Sequence, residues 1–179
     1  MTSRVTTPRE GVPFAGWDAS RPIPAPLDFH RTPVIPAWTD YNDHMTESAF
    51  LLVFGDSSDA FFRYIGIDEA YRAAGASIYT VETRIHNRRE ARVGDPLALT
   101  LQIFDHDAKR LHILHAMTNE ATGDVLATAE QILVHVDMRA GRSSPFPPEL
   151  AGRIAAIAEA HRHLPVPRTV GVPLGLRKG

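Results

Sequence analysis

An α+β fold is what this sequence predicts: one long apolar helix wrapped by a curved, five-stranded antiparallel sheet, with a further helix near the C-terminus. Three observations predict it. From Ala49 to Ile67, apolar residues (Phe50, Leu51, Phe54, Phe61, Phe62, Ile65) recur at helical spacing over much of the circumference, so this helix must be covered on most sides. From Ser77 to Met138 the pattern changes to period two and becomes rich in β-branched residues. Three short turn signals divide that stretch into four runs, which makes an antiparallel meander the economical arrangement.

Each element follows in order. Residues 1–26 are rich in Pro, Thr, Arg and Gly and end in Pro22-Ile23-Pro24-Ala25-Pro26, so they read as an extended arm. Phe14 and Trp17 argue that this arm is draped over a surface, because a solvated tail rarely keeps large apolar side chains. Residues 27–145 form the main domain, and 146–179 a helix and a basic Pro/Gly-rich tail. Asp28 to Ala37 reads as a first strand. Thr46 or Ser48 caps the long helix and Gly66 stops it. Gly55 and the polar run 56–59 interrupt the apolar stripe, and the small residue would let a sheet approach closely. A short helical turn spans Asp68 to Ala74. The strands are Ser77–His86, Leu97–Phe104, Leu111–Thr118 and Val125–Met138. Glu149 to His161 is an Ala-rich helix striped by Leu150, Ile154 and Ile157.

Composition excludes several classes of function. The net charge of -2 gives no basic excess for nucleic acid. There are no cysteines, which removes disulfides, thiolate nucleophiles and Cys-ligated zinc and fits a reducing cytoplasm. No apolar run approaches the ~20 residues of a membrane span. Met1 to Arg21 lacks the apolar centre of a signal peptide. A soluble cytoplasmic protein, with neither nucleic acid nor membrane as partner, is the expectation.

The most chemical stretch is Trp38-Thr39-Asp40-Tyr41-Asn42-Asp43-His44-Met45. On an extended backbone Asp40, Asn42 and His44 would point the same way and converge on one substrate atom. They offer a base, a water or carbonyl anchor, and a group that titrates near neutrality. The helix that follows offers free backbone N–H groups near Met45 to Glu47 and a positive dipole end, suited to an oxyanion. Asp40 and Asn42 also read as turn residues, and His44 as a satisfied buried histidine. Glu82, inside an alternating strand, reads either as a solvated face or as a site member. His112, His115 and His135 alternate with apolar residues but have no companion carboxylate at ligand spacing, so neither a metal nor another cofactor is expected.

Four segments carry a resemblance: Ile35 to Met45, Tyr79-Thr80-Val81-Glu82, Lys109-Arg110-Leu111-His112, and Ala129 to Asp137. Together with the element order they resemble the hotdog-fold acyl-CoA thioesterases, and most nearly the betainyl-CoA thioesterases of bacterial carnitine catabolism. The likeness covers about residues 30–147. It implies hydrolysis of a small acyl-CoA thioester, betainyl-CoA to glycine betaine and CoA. It also implies a homodimer or dimer of dimers with sites between subunits. In the 4-hydroxybenzoyl-CoA type of the family the key aspartate falls where Asn42 stands here. Asn can be neither base nor nucleophile, so Asp40 or Glu82 would take the proton of water. Asn42 would then position water or carbonyl, and His44 would donate to the carbonyl or orient the carboxylate. For the CoA phosphates the resemblance points to Arg88, Arg89, Lys109 and Arg110. For a quaternary ammonium acyl group Trp38, Tyr41 and Tyr79 are available. Two alternatives stand beside this reading: another hotdog enzyme such as an enoyl-CoA hydratase or dehydratase, and a non-catalytic acyl-CoA-binding dimer.

Overall fold

The computed structural model describes residues 5–175. Strand β1 (Leu27–Pro33) comes first, then a single 3-10 turn (Pro36–Trp38) and the long helix α1 (Glu47–Ile65). A short helix α2 (Glu69–Ala73) leads into β2 (Ala76–Asn87), β3 (Pro96–His106), β4 (Arg110–Asn119) and β5 (Val125–Asp137). A two-residue strand β6 (Arg142–Ser143) and helix α3 (Pro148–His161) complete it. All strand pairs are antiparallel, in the order β1-β3-β4-β5-β2, with β6 added on β5. The first strand is shorter than its sequence pattern, because Pro36 opens a 3-10 turn.

Period-two alternation explains the sheet's inner face. Leu97, Leu99, Leu101 and Ile103 on β3 all turn inward, as do Leu111, Ile113 and Met117 on β4. The core has two lobes along α1. Phe50, Val53 and Phe54 pack with Val34, Met45, Leu97, Met117 and Ala127 at the helix's N-terminal end. Phe61 and Ile65 pack with Leu27, Ile103, Leu111 and Leu133 at the other end. Leu150, Ile154 and Ile157 of α3 close that second lobe. His161 at the end of α3 accepts the free edge N–H of Ile103 at 3.0 Å and contacts Pro24 O at 3.1 Å.

α1 is capped as its sequence requires. Thr46 Oγ1 accepts from Ala49 N at 3.2 Å. Gly66 sits in the left-handed region at φ 100°, where an added Cβ would also meet Arg153. The polar run Asp56 to Asp59 does not break the packing at the surface; all four residues are buried. Ser58 faces the sheet and meets His115 Nε2 at 3.0 Å, and burial pushes that imidazole down to about 4, so it is neutral. Asp56 and Asp59 lie on the opposite face, under the N-terminal arm. Thr7 Oγ1 donates to Asp59 at 2.8 Å, Trp17 packs on Tyr64 at 5.6 Å, and Phe14 meets Phe29 edge-on at 6.0 Å. Gly55 has no neighbour within 4 Å of an added Cβ, so this protomer's own sheet does not approach it.

Candidate active site

The segment from Thr39 to Met45 is a tight turn, not an extended strand. Thr39 and Met45 form an isolated antiparallel bridge, Asp40 N donates to His44 O at 3.0 Å, and Asp43 N donates back to Asp40 O at 3.0 Å. Asp43 sits at φ 60°, a conformation that Asp and Asn tolerate better than other side chains. The period-two reading is therefore corrected: turn chemistry outweighs a three-residue alternation. Asp40 Oδ1 accepts the N–H of Asn42 at 2.8 Å, the local bond expected of an Asx turn.

Two further bonds fix this loop over the N-terminus of α1. Met45 N donates to Ala91 O at 2.8 Å, and Thr46 N to Trp38 O at 2.9 Å. His44 also bridges Arg92. That bridge sets the His44 Nε2 atom 3.1 Å from Glu90 Oε2. Glu90 was not singled out from the sequence, since it stands in an aperiodic stretch between Arg89 and Ala91. The first-turn amides of Glu47 and Ser48 have no intrahelical acceptor, while Thr46 takes that of Ala49.

Beside the loop is an open cleft of about 310 Å³ lined by Met45, Glu47, Phe50 and the segment Asn87 to Glu90. Arg88 and Arg89 are held there by their own N–H groups, both bonded to Leu126 O, and Arg89 reaches Asp124 at 3.3 Å. Tyr41 is fully exposed at the tip of the turn, and Trp38 is half-buried against the core beneath it. The structure thus sets the loop carrying Trp38, Asp40, Tyr41, Asn42 and His44 beside the segment carrying Arg88 and Arg89, and of these seven residues Arg88 and Arg89 line the cleft itself.

It does not bring the other four there. A bulge between Thr80 and Glu82 turns Glu82 to the sheet face away from α1, opposite Ile132. Thr83 takes the inner face instead, accepting from Gln131 Nε2 at 3.2 Å. Tyr79 is on the outer face opposite Val134 and half exposed. Lys109 and Arg110 lie at the far end of the sheet, bound to Ser143 and to Asp107 at 3.2 and 2.6 Å. A larger cavity of about 450 Å³ on the outer face includes Glu82, Arg84, His112 and Glu130 and is roofed by residues 171–174. Its Glu130 is already bonded by Arg84, His112 and Gly171 N, so it offers no free base. The helix N-terminus and its free amides lie at the smaller cleft.

Residues 34–154 match the Thioesterase-like superfamily. The chain belongs to that superfamily. Its fold is the hotdog fold, a helix wrapped by an antiparallel sheet. The chain is 43% identical over 151 residues to the betainyl-CoA thioesterase of Pseudomonas aeruginosa, covering 84% of this chain and 95% of that one. It is 45% identical over 168 residues to the L-carnitine dehydrogenase/betainyl-CoA thioesterase of Rhizobium meliloti, 94% of this chain but only 33% of that longer relative. A putative thioesterase of Pseudomonas putida superimposes with a TM-score of 0.75 at 29% identity, over 88% of this chain and 100% of that one. A Staphylococcus aureus protein solved in complex with CoA superimposes with a TM-score of 0.80 at 24% identity, over 88% of this chain and 100% of that one. This last likeness is one of fold alone. No helix among the described residues is long and apolar enough to cross a membrane.

Proposed function

We propose that this superfamily member is a cytoplasmic acyl-CoA thioesterase whose substrate is betainyl-CoA, cleaved to glycine betaine and CoA. One observation carries the reading: the dedicated thioesterase of Pseudomonas aeruginosa is matched over 95% of its length, the loop and the cleft included. The chemistry of the cleft supports it. A thioester carbonyl needs an aligned water, an acceptor for its proton, and donors for the developing oxyanion. The Glu47 and Ser48 amides at the start of α1 are such donors, and the turn carrying Asn42 and His44 leads directly into that helix end. Arg88 and Arg89 suit the CoA phosphates, and Phe50 and the Glu47 carboxylate suit a trimethylammonium group. Thiol release from a panel of acyl-CoAs tests this. Betainyl-CoA should give the highest kcat/KM; a preference for a neutral acyl chain would overturn the substrate, and no turnover at all would overturn the activity.

We further propose that the working unit is a homodimer paired along β2. That strand is a long free edge with Tyr79 51% and Val81 60% exposed, the kind of edge that pairs with another chain. On α1, Tyr64 faces β1 and Ser58 faces β4 and β5. The next flank, toward β2, carries the exposed Leu51 and the open Gly55. A second copy would cover both. Gly55→Leu therefore tests the interface: leucine favours helix over glycine by somewhat less than the ~1 kcal/mol that separates glycine from alanine, and a Cβ there meets nothing in the protomer, so the chain should fold yet sediment as a monomer. A dimer that survives Gly55→Leu would place the interface elsewhere.

A further inference from the structure

We infer that Glu90 is a positioning residue for this hydrolysis, acting through His44. The inference deepens the thioesterase reading and rests on it. The reaction needs a proton acceptor near α1's N-terminus, and the candidates narrow quickly. Asn42 carries no basic site. Asp40 Oδ1 accepts the Asn42 N–H at 2.8 Å as part of the turn, which ties one of its two oxygens to the loop backbone. Glu82 is turned to the other face of the sheet. Among these groups His44 is the one with a carboxylate partner: its Nε2 lies 3.1 Å from Glu90 Oε2.

That pair is fixed by main chain rather than by burial. His44 bridges Arg92 and Met45 N bonds Ala91 O, so the segment carrying Glu90 is aligned against the turn carrying His44. A carboxylate 3.1 Å from Nε2 favours the tautomer that carries its hydrogen on that nitrogen and leaves Nδ1 unprotonated. Water's oxygen then bonds to the thioester carbonyl carbon while its proton passes to His44 Nδ1. Collapse of the tetrahedral species breaks the C–S bond, and the imidazolium returns the proton to the departing thiolate. The products are the free acid and CoA thiol, with no redox change. Glu90 stabilises the imidazolium in between and touches no reacting atom.

Three histidines of the sheet are engaged elsewhere: His115 with Ser58, His135 with Tyr71 and Ser144, and His112 with Glu130. The Glu90 side chain is 69% exposed, so replacing it leaves the fold intact. Steady-state thiol release on betainyl-CoA, or on whichever acyl-CoA the wild type turns over best, decides the matter. Glu90→Gln should lower kcat about 10–100-fold with KM unchanged. Glu90→Asp should recover part of that loss. The double variant Glu90→Gln/His44→Ala should be no slower than His44→Ala alone, because Glu90 works only through the imidazole. A wild-type kcat in Glu90→Gln, a change confined to KM, or a full further loss on top of His44→Ala each overturns the inference while leaving the thioesterase reading standing. Absence of turnover in the wild type overturns both.

Discussion

His44→Ala is expected to cut kcat/KM for thioester hydrolysis about 10²–10⁴-fold while the thermal melt stays near that of the wild type. The size follows from losing a general acid–base group. The intact fold follows from what holds the loop. His44 contributes its carbonyl to Asp40 N and its main chain to the Arg92 bridge, and alanine keeps both. Its side chain is 24% exposed, and its ion-pair partner Glu90 is left in solvent rather than stranded in the core. Asp40 supplies the control. Asp40→Asn keeps an oxygen acceptor for the Asn42 N–H, so the turn survives and the rate should stay within a few-fold of wild type. If Asp40 were the proton acceptor, the same change would be as damaging as His44→Ala. Thiol-release kinetics beside a melt of each variant separate the two cases. A His44→Ala enzyme working at the wild-type rate would remove the imidazole from the chemistry.

The helix and the sheet were legible because their signals are local and repeated. The stripe Phe50, Phe54, Phe61, Ile65 and the alternation Leu97, Leu99, Leu101, Ile103 each extend over several periods, and both bury their apolar sides. The site was legible as a set of residue types but not as a geometry. Three alternating polar residues are too short a run to outweigh the turn preferences of Asp and Asn, and the chain folds back at Asp43. Glu82 shows how a single inserted residue moves a side chain. Ile78 and Thr80 pair with the inward-facing His135 and Leu133, so simple alternation would aim Glu82 at α1; the bulge between Thr80 and Glu82 reverses it. Glu90 had no local signal at all, since only the bridge between two distant segments sets it beside His44. The burial of Asp56 and Asp59 was equally hidden, because what covers them is the N-terminal arm.

Arg63→Met is expected to lower the unfolding free energy by about 3–5 kcal/mol at pH 7, read from urea titrations. Arg63 is 5% exposed; its Nε donates to Asp59 at 2.7 Å and its Nη1 to Glu69 at 2.7 Å. Glu69 is half solvated and survives the loss. Asp59 is not, and it shares a buried helix face with Asp56. Burial, and then the neighbouring Asp59 charge, push the Asp56 carboxyl from 3.8 up to about 6. The sign of the pH dependence follows. A carboxyl whose folded pKa lies above its unfolded one binds more protons when folded, so stability falls as pH rises from about 4 through about 6. In the wild type Arg63 and Arg9 both oppose this negative face; in the variant Arg9 is left alone. Acidification from pH 7 to pH 5 should therefore recover more stability in Arg63→Met than in the wild type, narrowing the gap. A gap of the same size at both pH values would mean that lost packing of the long arginine stem, and not uncompensated charge, accounts for the defect.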